Sequence, residues 1–240
     1  KSVEPSSQRL ILALGDSVSQ MGYAQILENT RGGDYRVQNL ALAGSGMSTV
    51  LEIFEKNSQT LSRNSHDVVV MTGHNDCQYL RHFAEVYTSD GDETWSFELQ
   101  RFLWKLRTVR FVQILWAETT KSEHTPKNSV NNSRHTERCL STLRDGYSHL
   151  ALQAQRAQLN LHFMTYPVPH TVADNNWTEL MWVSVFINQQ IRHSAAKLDV
   201  PLIDAEKCMA DLPVEHWKPD KLHLARAGAL AQMKCLFNHL

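Results

Sequence analysis

The chain has 240 residues, 42 % of them apolar and 20 % charged, with a formal net charge of −1. That length supports a sizeable α/β core, and the near-neutral charge gives no electrostatic ground for binding nucleic acid. The longest apolar runs, such as Leu10 to Leu14, fall far short of the roughly 18 residues that cross a bilayer.

Short apolar or β-branched runs alternate with longer stretches of helical period, which predicts a parallel sheet covered by helices on both faces. In chain order, strands are expected at Arg9 to Leu14, Tyr35 to Leu40, Asp67 to Met71, Val109 to Leu115, Leu159 to Met164 and Val200 to Ile203. Helical spacing links Met47, Val50, Phe54 and Leu61, then Leu140, Leu143, Tyr147, Leu150 and Ala154. It returns in Leu180, Val183, Ile187, Ile191 and Ala195, and in Leu230, Met233 and Phe237. Thr49 and Glu52 have capping-box spacing. The polar stretch Glu118 to Arg138 reads as a long exposed loop. No repeat, low-complexity tract or Gly/Pro-rich linker divides the chain, so one domain over residues 1–240 is expected.

The chain opens on Lys1 with no apolar leader segment ahead of the first strand. Cys77, Cys139, Cys208 and Cys235 are even in number but lack the close pairs of a zinc or redox site, leaving two readings: disulfides, or four reduced buried thiols. Asn131-Asn132-Ser133 and Asn176-Trp177-Thr178 are glycosylation sequons, a weak pointer to an extracytoplasmic protein.

Open parallel sheets place ligands beyond the carboxyl ends of their strands. The first expected strand ends in Gly15-Asp16-Ser17, the second leads through Asn39 to Gly44, and the third ends in Gly73-His74-Asn75-Asp76. Asp220-Lys221-Leu222-His223 stands before the last helix. These residues supply what acyl transfer from an ester requires. A serine hydroxyl needs a base to take its proton, and imidazole serves near neutral pH. His223 fits that role, and Asp220 can reach its other ring nitrogen and fix the tautomer. The backbone N–H groups of Ser17 and Gly44, with the Asn75 amide, can aim donors at an oxyanion.

Four blocks, Gly15-Asp16-Ser17, Asn39 to Gly44, Gly73-His74-Asn75-Asp76 and Asp220 to His223, resemble in type and order those of the SGNH (GDSL) hydrolases, across nearly the whole chain. The resemblance implies a flavodoxin-like three-layer α/β/α sandwich with a mainly parallel sheet. It also implies Ser17, Gly44 and Asn75 as oxyanion donors and a Ser17, Asp220, His223 triad. Two departures stand beside it: the first block continues Val18-Ser19-Gln20, and Gly46 follows two residues after Gly44, which is read as the donor because its distance from Asn39 matches the family block.

Each of these residues also has a plainer reading. Asp16 can cap a helix and Ser17 can be turn chemistry. His223 is one of 12 histidines, while His74 and Cys77 lack the further ligands of a metal site. Gly44-Ser45-Gly46 can be a degenerate dinucleotide-binding turn, although the third glycine is missing. A catalytically silent SGNH-like binding domain is a further reading. An α/β-hydrolase is disfavoured because no G-x-S-x-G elbow is present. The reading carried forward is a serine esterase without metal or organic cofactor, acting on short acyl groups, acetyl first, of a glycan or small polar substrate. The polar stretches 118–138 and 170–179, the second containing Trp177, offer no apolar trough for a long acyl chain. The same residues would serve an O-acyltransferase, a lipase or a thioesterase.

Overall fold

The computed structural model describes residues 9–29, 35–61, 66–77, 129–171 and 179–240. Among the described residues, five strands, β1 (Arg9–Gly15), β2 (Tyr35–Asn39), β3 (Asp67–Met71), β4 (Asn160–Met164) and β5 (Leu202–Ile203), form one sheet in the order β2-β1-β3-β4-β5. Every neighbouring pair is parallel, with Leu12 opposite both Gln38 and Val68. The helices are α1 (Ser17–Met21), α2 (Tyr23–Asn29), α3 (Met47–Leu61), α4 (Ser129–Ala157), α5 (Glu179–Leu198), α6 (Ala205–Cys208) and α7 (Arg226–Phe237). This is the flavodoxin-like α/β arrangement expected from the sequence.

The strand sequences follow from their places in the sheet. β1 and β3 lie inside it with both faces covered, so Ile11 to Leu14 and Val68 to Met71 are continuous apolar runs with no exposure. β2 lies at the edge, and Arg36 and Gln38 turn outward between half-buried neighbours. Leu143, Tyr147, Leu150 and Ala154 of α4 and Ile187 and Ile191 of α5 close over the sheet in one core.

The chain leaves β1 toward β2 on one side and returns to β3 on the other. The carboxyl ends of β1 and β3 therefore flank a topological switch point, where such sheets form their crevice. Ser17 follows one of these ends and Asn75 the other.

Two sequence expectations change here. Residues 129–138 belong to α4 and are not loop, while 118–128 lie outside the described residues. The sequence of the first turns of α4, rich in Ser, Asn, Arg and His, has few apolar residues to mark a helical period. Thr49 is not an N-cap: α3 begins at Met47, and the Asp76 carboxylate accepts from the Met47 N–H at 2.8 Å in place of a local cap. The expected strand Val109 to Leu115 and the second sequon with Trp177 fall outside the described residues, while the first sequon lies in α4.

The cysteines pair as Cys77–Cys139 and Cys208–Cys235, with Cα separations of 5.2 and 6.1 Å. The first bond ties the segment after β3 to α4. The second ties α6 to α7 and closes a loop that contains Asp220 and His223.

Candidate active site

Ser17 is the first residue of α1, capped by the side chain of Asp16, whose Oδ1 accepts from the Val18 N–H at 3.0 Å. As the opening residue of a helix, Ser17 has an N–H without an intrahelical acceptor. Its hydroxyl is half-buried at the end of β1.

His223 arrives from the opposite end of the chain on a turn that is fixed at several points. Trp217 bridges Leu224, and the Lys218 N–H donates to the His223 carbonyl at 2.7 Å. Trp217 and Leu224 are buried with Met209 and Ala229, a small apolar cluster beneath the turn. Within it, Asp220 Oδ1 accepts from the N–H groups of Leu222 and His223 at 3.0 and 2.9 Å, while Lys221 takes a positive φ of 57°. Sequence spacing of three thus becomes a local Asx turn that aims the carboxylate at its own imidazole.

The imidazole is held on both sides. Nδ1 lies 2.7 Å from Asp220 Oδ2, and Nε2 lies 2.8 Å from Ser17 Oγ. Partial burial pushes the Asp220 carboxyl up, but the hydrogen bonds from the His223 side chain and from two backbone N–H groups outweigh it and hold the group below its ordinary range. An ionised carboxylate only accepts, so Nδ1 carries the proton and Nε2 is left to accept from the serine hydroxyl.

Asn75 stands at the tip after β3, half-buried, and one amide hydrogen donates to the Ser45 carbonyl at 2.8 Å. The amide has two donors, and this bond uses one of them. Ser45 in turn donates its hydroxyl to the Gly15 carbonyl at 2.8 Å, tying the Gly44 loop to the end of β1. The two glycines of that loop have different reasons. Gly44 is exposed at φ +80°, a left-handed backbone, and a side chain there would point into open space. A Cβ on Gly46 would stand 2.6 Å from an oxygen of Asp76, so packing fixes that glycine. The open approach belongs to Gly44.

Two anchors not singled out by the sequence complete the loops. Gln20 of α1 accepts from the Ala43 N–H through Oε1 at 3.0 Å, and its backbone carbonyl accepts from Asn39 Nδ2 at 3.2 Å. Tyr166, just past β4, donates its hydroxyl to Asp16 Oδ2 at 2.5 Å. Burial pushes the Asp16 carboxyl up to about 6 against the opposing pull of Tyr166, the Val18 N–H and His223. His74 and Cys77 are buried structural residues: the His74 ring contacts the Leu180 carbonyl at 3.2 Å and Cys77 is in a disulfide. Among the described residues, no group of three or more His, Cys, Asp or Glu is arranged to hold a metal ion, and no helix is long and apolar enough to cross a membrane.

No protein-family model and no curated protein matches the chain. Solved structures do match over nearly its full length. An acetyl xylan esterase aligns at 13 % identity and a TM-score of 0.57, covering 96 % of this chain and 98 % of its own. A catalytic mutant of an acetylxylan esterase from Geobacillus stearothermophilus aligns at 14 % identity and a TM-score of 0.54, over 98 % of this chain and 94 % of its own. A member of the lipolytic G-D-S-L family from Veillonella parvula aligns at 12 % identity and a TM-score of 0.51, over 96 % of this chain and 97 % of its own. The chain shares its α/β fold with these structures.

Proposed function

We propose that this chain is a serine esterase in which Ser17 is the nucleophile, His223 the general base and Asp220 the residue that orients the base and stabilises its protonated form. The observation that carries the reading is the two-sided hold on His223, 2.8 Å from the serine hydroxyl and 2.7 Å from the carboxylate. Neutral imidazole takes the Ser17 proton as Oγ attacks the ester carbonyl. The resulting imidazolium is stabilised by Asp220, then returns the proton to the leaving alcohol. Water, activated by the same imidazole, resolves the acyl-enzyme. The oxyanion formed in each half-reaction is received by the N–H groups of Ser17 and Gly44 and the second amide hydrogen of Asn75.

The substrate class proposed is a short acyl ester, acetyl first, on a glycan or small polar scaffold. Two structures of the same fold are described as acetyl xylan esterases. Gln20, Asn75 and Asp220 are polar residues of the turns that carry the site, whereas the Gly44 loop exposes the apolar Leu42. Residues 129–138 are helical rather than a polar loop, and residues 118–128 and 172–178 lie outside the described residues. Rates on p-nitrophenyl acetate, butyrate, octanoate and palmitate test the class. A steep fall in kcat/KM beyond butyrate is expected, and a rise toward the long chains would exclude it.

A further inference from the structure

We propose that Tyr166 is a positioning residue for this reaction: one buried hydroxyl holds the nucleophile turn and the oxyanion turn in a fixed relation, donating to Asp16 beside Ser17 and accepting from the N–H of His74 beside Asn75. The inference rests on the esterase reading and adds a residue to it. The two turns follow β1 and β3, whose ladder ends at the pair Gly15 and Met71. Beyond that pair no backbone ladder sets the distance from Ser17 to Asn75, and an error of about 1 Å in such a distance costs on the order of a hundredfold in rate.

The hydroxyl is placed to set it. Tyr166 Oη lies 2.5 Å from Asp16 Oδ2 and 3.2 Å from the His74 nitrogen. The remaining Asp16 oxygen caps α1 through Val18, so the carboxylate transmits the position of Tyr166 to the first turn of the nucleophile helix. Tyr166 is itself fully buried and held by its backbone. Asn188 of α5 accepts from the Tyr166 N–H at 2.7 Å and donates to its carbonyl at 2.8 Å. The same amide donates to Glu206 at 3.0 Å, and Glu206 is paired with Arg192 at 2.7 Å. The hydroxyl therefore stands on a frame of β4, α5 and α6 that contains none of the reacting groups. Burial raises the phenol well above its ordinary range, so it remains a donor at every working pH.

The test uses Tyr166→Phe, which removes one oxygen, Asp16→Asn, and the double variant, with fold checked by near-ultraviolet circular dichroism. Wild type is first labelled with a fluorophosphonate. An adduct away from Ser17 refutes the esterase reading itself, separately from this proposal. With Ser17 labelled, Tyr166→Phe is expected to lower kcat for p-nitrophenyl acetate roughly ten- to a hundredfold with KM within about twofold. The double variant is expected to be no slower than the slower single variant, because both changes cut one linkage. An unchanged kcat in folded Tyr166→Phe, effects that multiply in the double variant, or loss of fold in both single variants would overturn the proposal, the last by marking the pair as structural.

Discussion

Nε2 of His223 lies 2.8 Å from Oγ of Ser17 although 206 positions of sequence separate them. The contact joins a turn that leaves the first strand to a turn that precedes the last helix. It depends on the Asx geometry of Asp220 and on the buried Trp217 and Leu224 beneath it. Loosening either should lengthen the contact without touching a reacting atom.

In the proposed reaction Asn75 would act by electrostatics, because an amide is no base near neutral pH. Asn75→Ala should lower kcat by ~10²–10³ and leave the pH optimum where it was. Steady-state rates across pH check both parts, and a displaced optimum would assign Asn75 to proton transfer instead.

Asp16 should make stability fall as pH rises. Its carboxyl is raised from 3.8 to about 6 in the fold, so between those values the folded chain binds more protons than the unfolded chain. Its contribution is fully present below pH 3.8 and lost as pH passes 6. The ionisable groups that face it are Tyr166, Tyr147 and His223. At about 1.4 kcal/mol for each pKa unit, Asp16→Asn should gain on wild type by about 2–3 kcal/mol in unfolding free energy between pH 4 and pH 7. Urea unfolding at the two pH values measures the difference, and a constant offset between the proteins would contradict it.

The disulfides should matter to stability and to the site together. Cys77–Cys139 spans 62 positions and Cys208–Cys235 spans 27, separations for which loop closure contributes about 4 and about 3.5 kcal/mol in the chain-entropy treatment. Cys77 also sits two residues past Asn75. Cys77→Ser with Cys139→Ser should lower Tm and reduce kcat, whereas Cys208→Ser with Cys235→Ser should lower Tm and loosen the His223 turn. Calorimetry and esterase rates on the two double variants separate these effects.

Some of this architecture was legible in sequence because it is local. β1 and β3 are unbroken apolar runs only because they are interior strands, so Ser17 and Asn75 could be placed at strand ends by reading along the chain. Asp220 and His223 could be paired because a spacing of three fits a turn. Tyr166 could not be found that way: its partners Asp16 and His74 lie 150 and 92 positions off, and a tyrosine after a strand carries no signal of either bond. A general signal did exist, since Tyr166 occupies the same carboxyl-end level of the sheet as Ser17 and Asn75. The opening of α4 carries no apolar period because Asn, Arg and His dominate it, and the real cap of α3 has no local signal because it comes from Asp76, 29 residues away.

Metal independence follows from a mechanism in which Asp220 and His223 supply the base. Activity should survive dialysis against a chelator. Loss on chelation with recovery on adding a divalent ion would require a different reaction.

The central claim is tested most directly by treating the wild-type protein and His223→Ala with a fluorophosphonate and mapping the adduct by peptide mass analysis. The account predicts one adduct, on Ser17 in wild type, formed far more slowly in His223→Ala. An adduct on another serine, or equal labelling of Ser17 in both proteins, would contradict it.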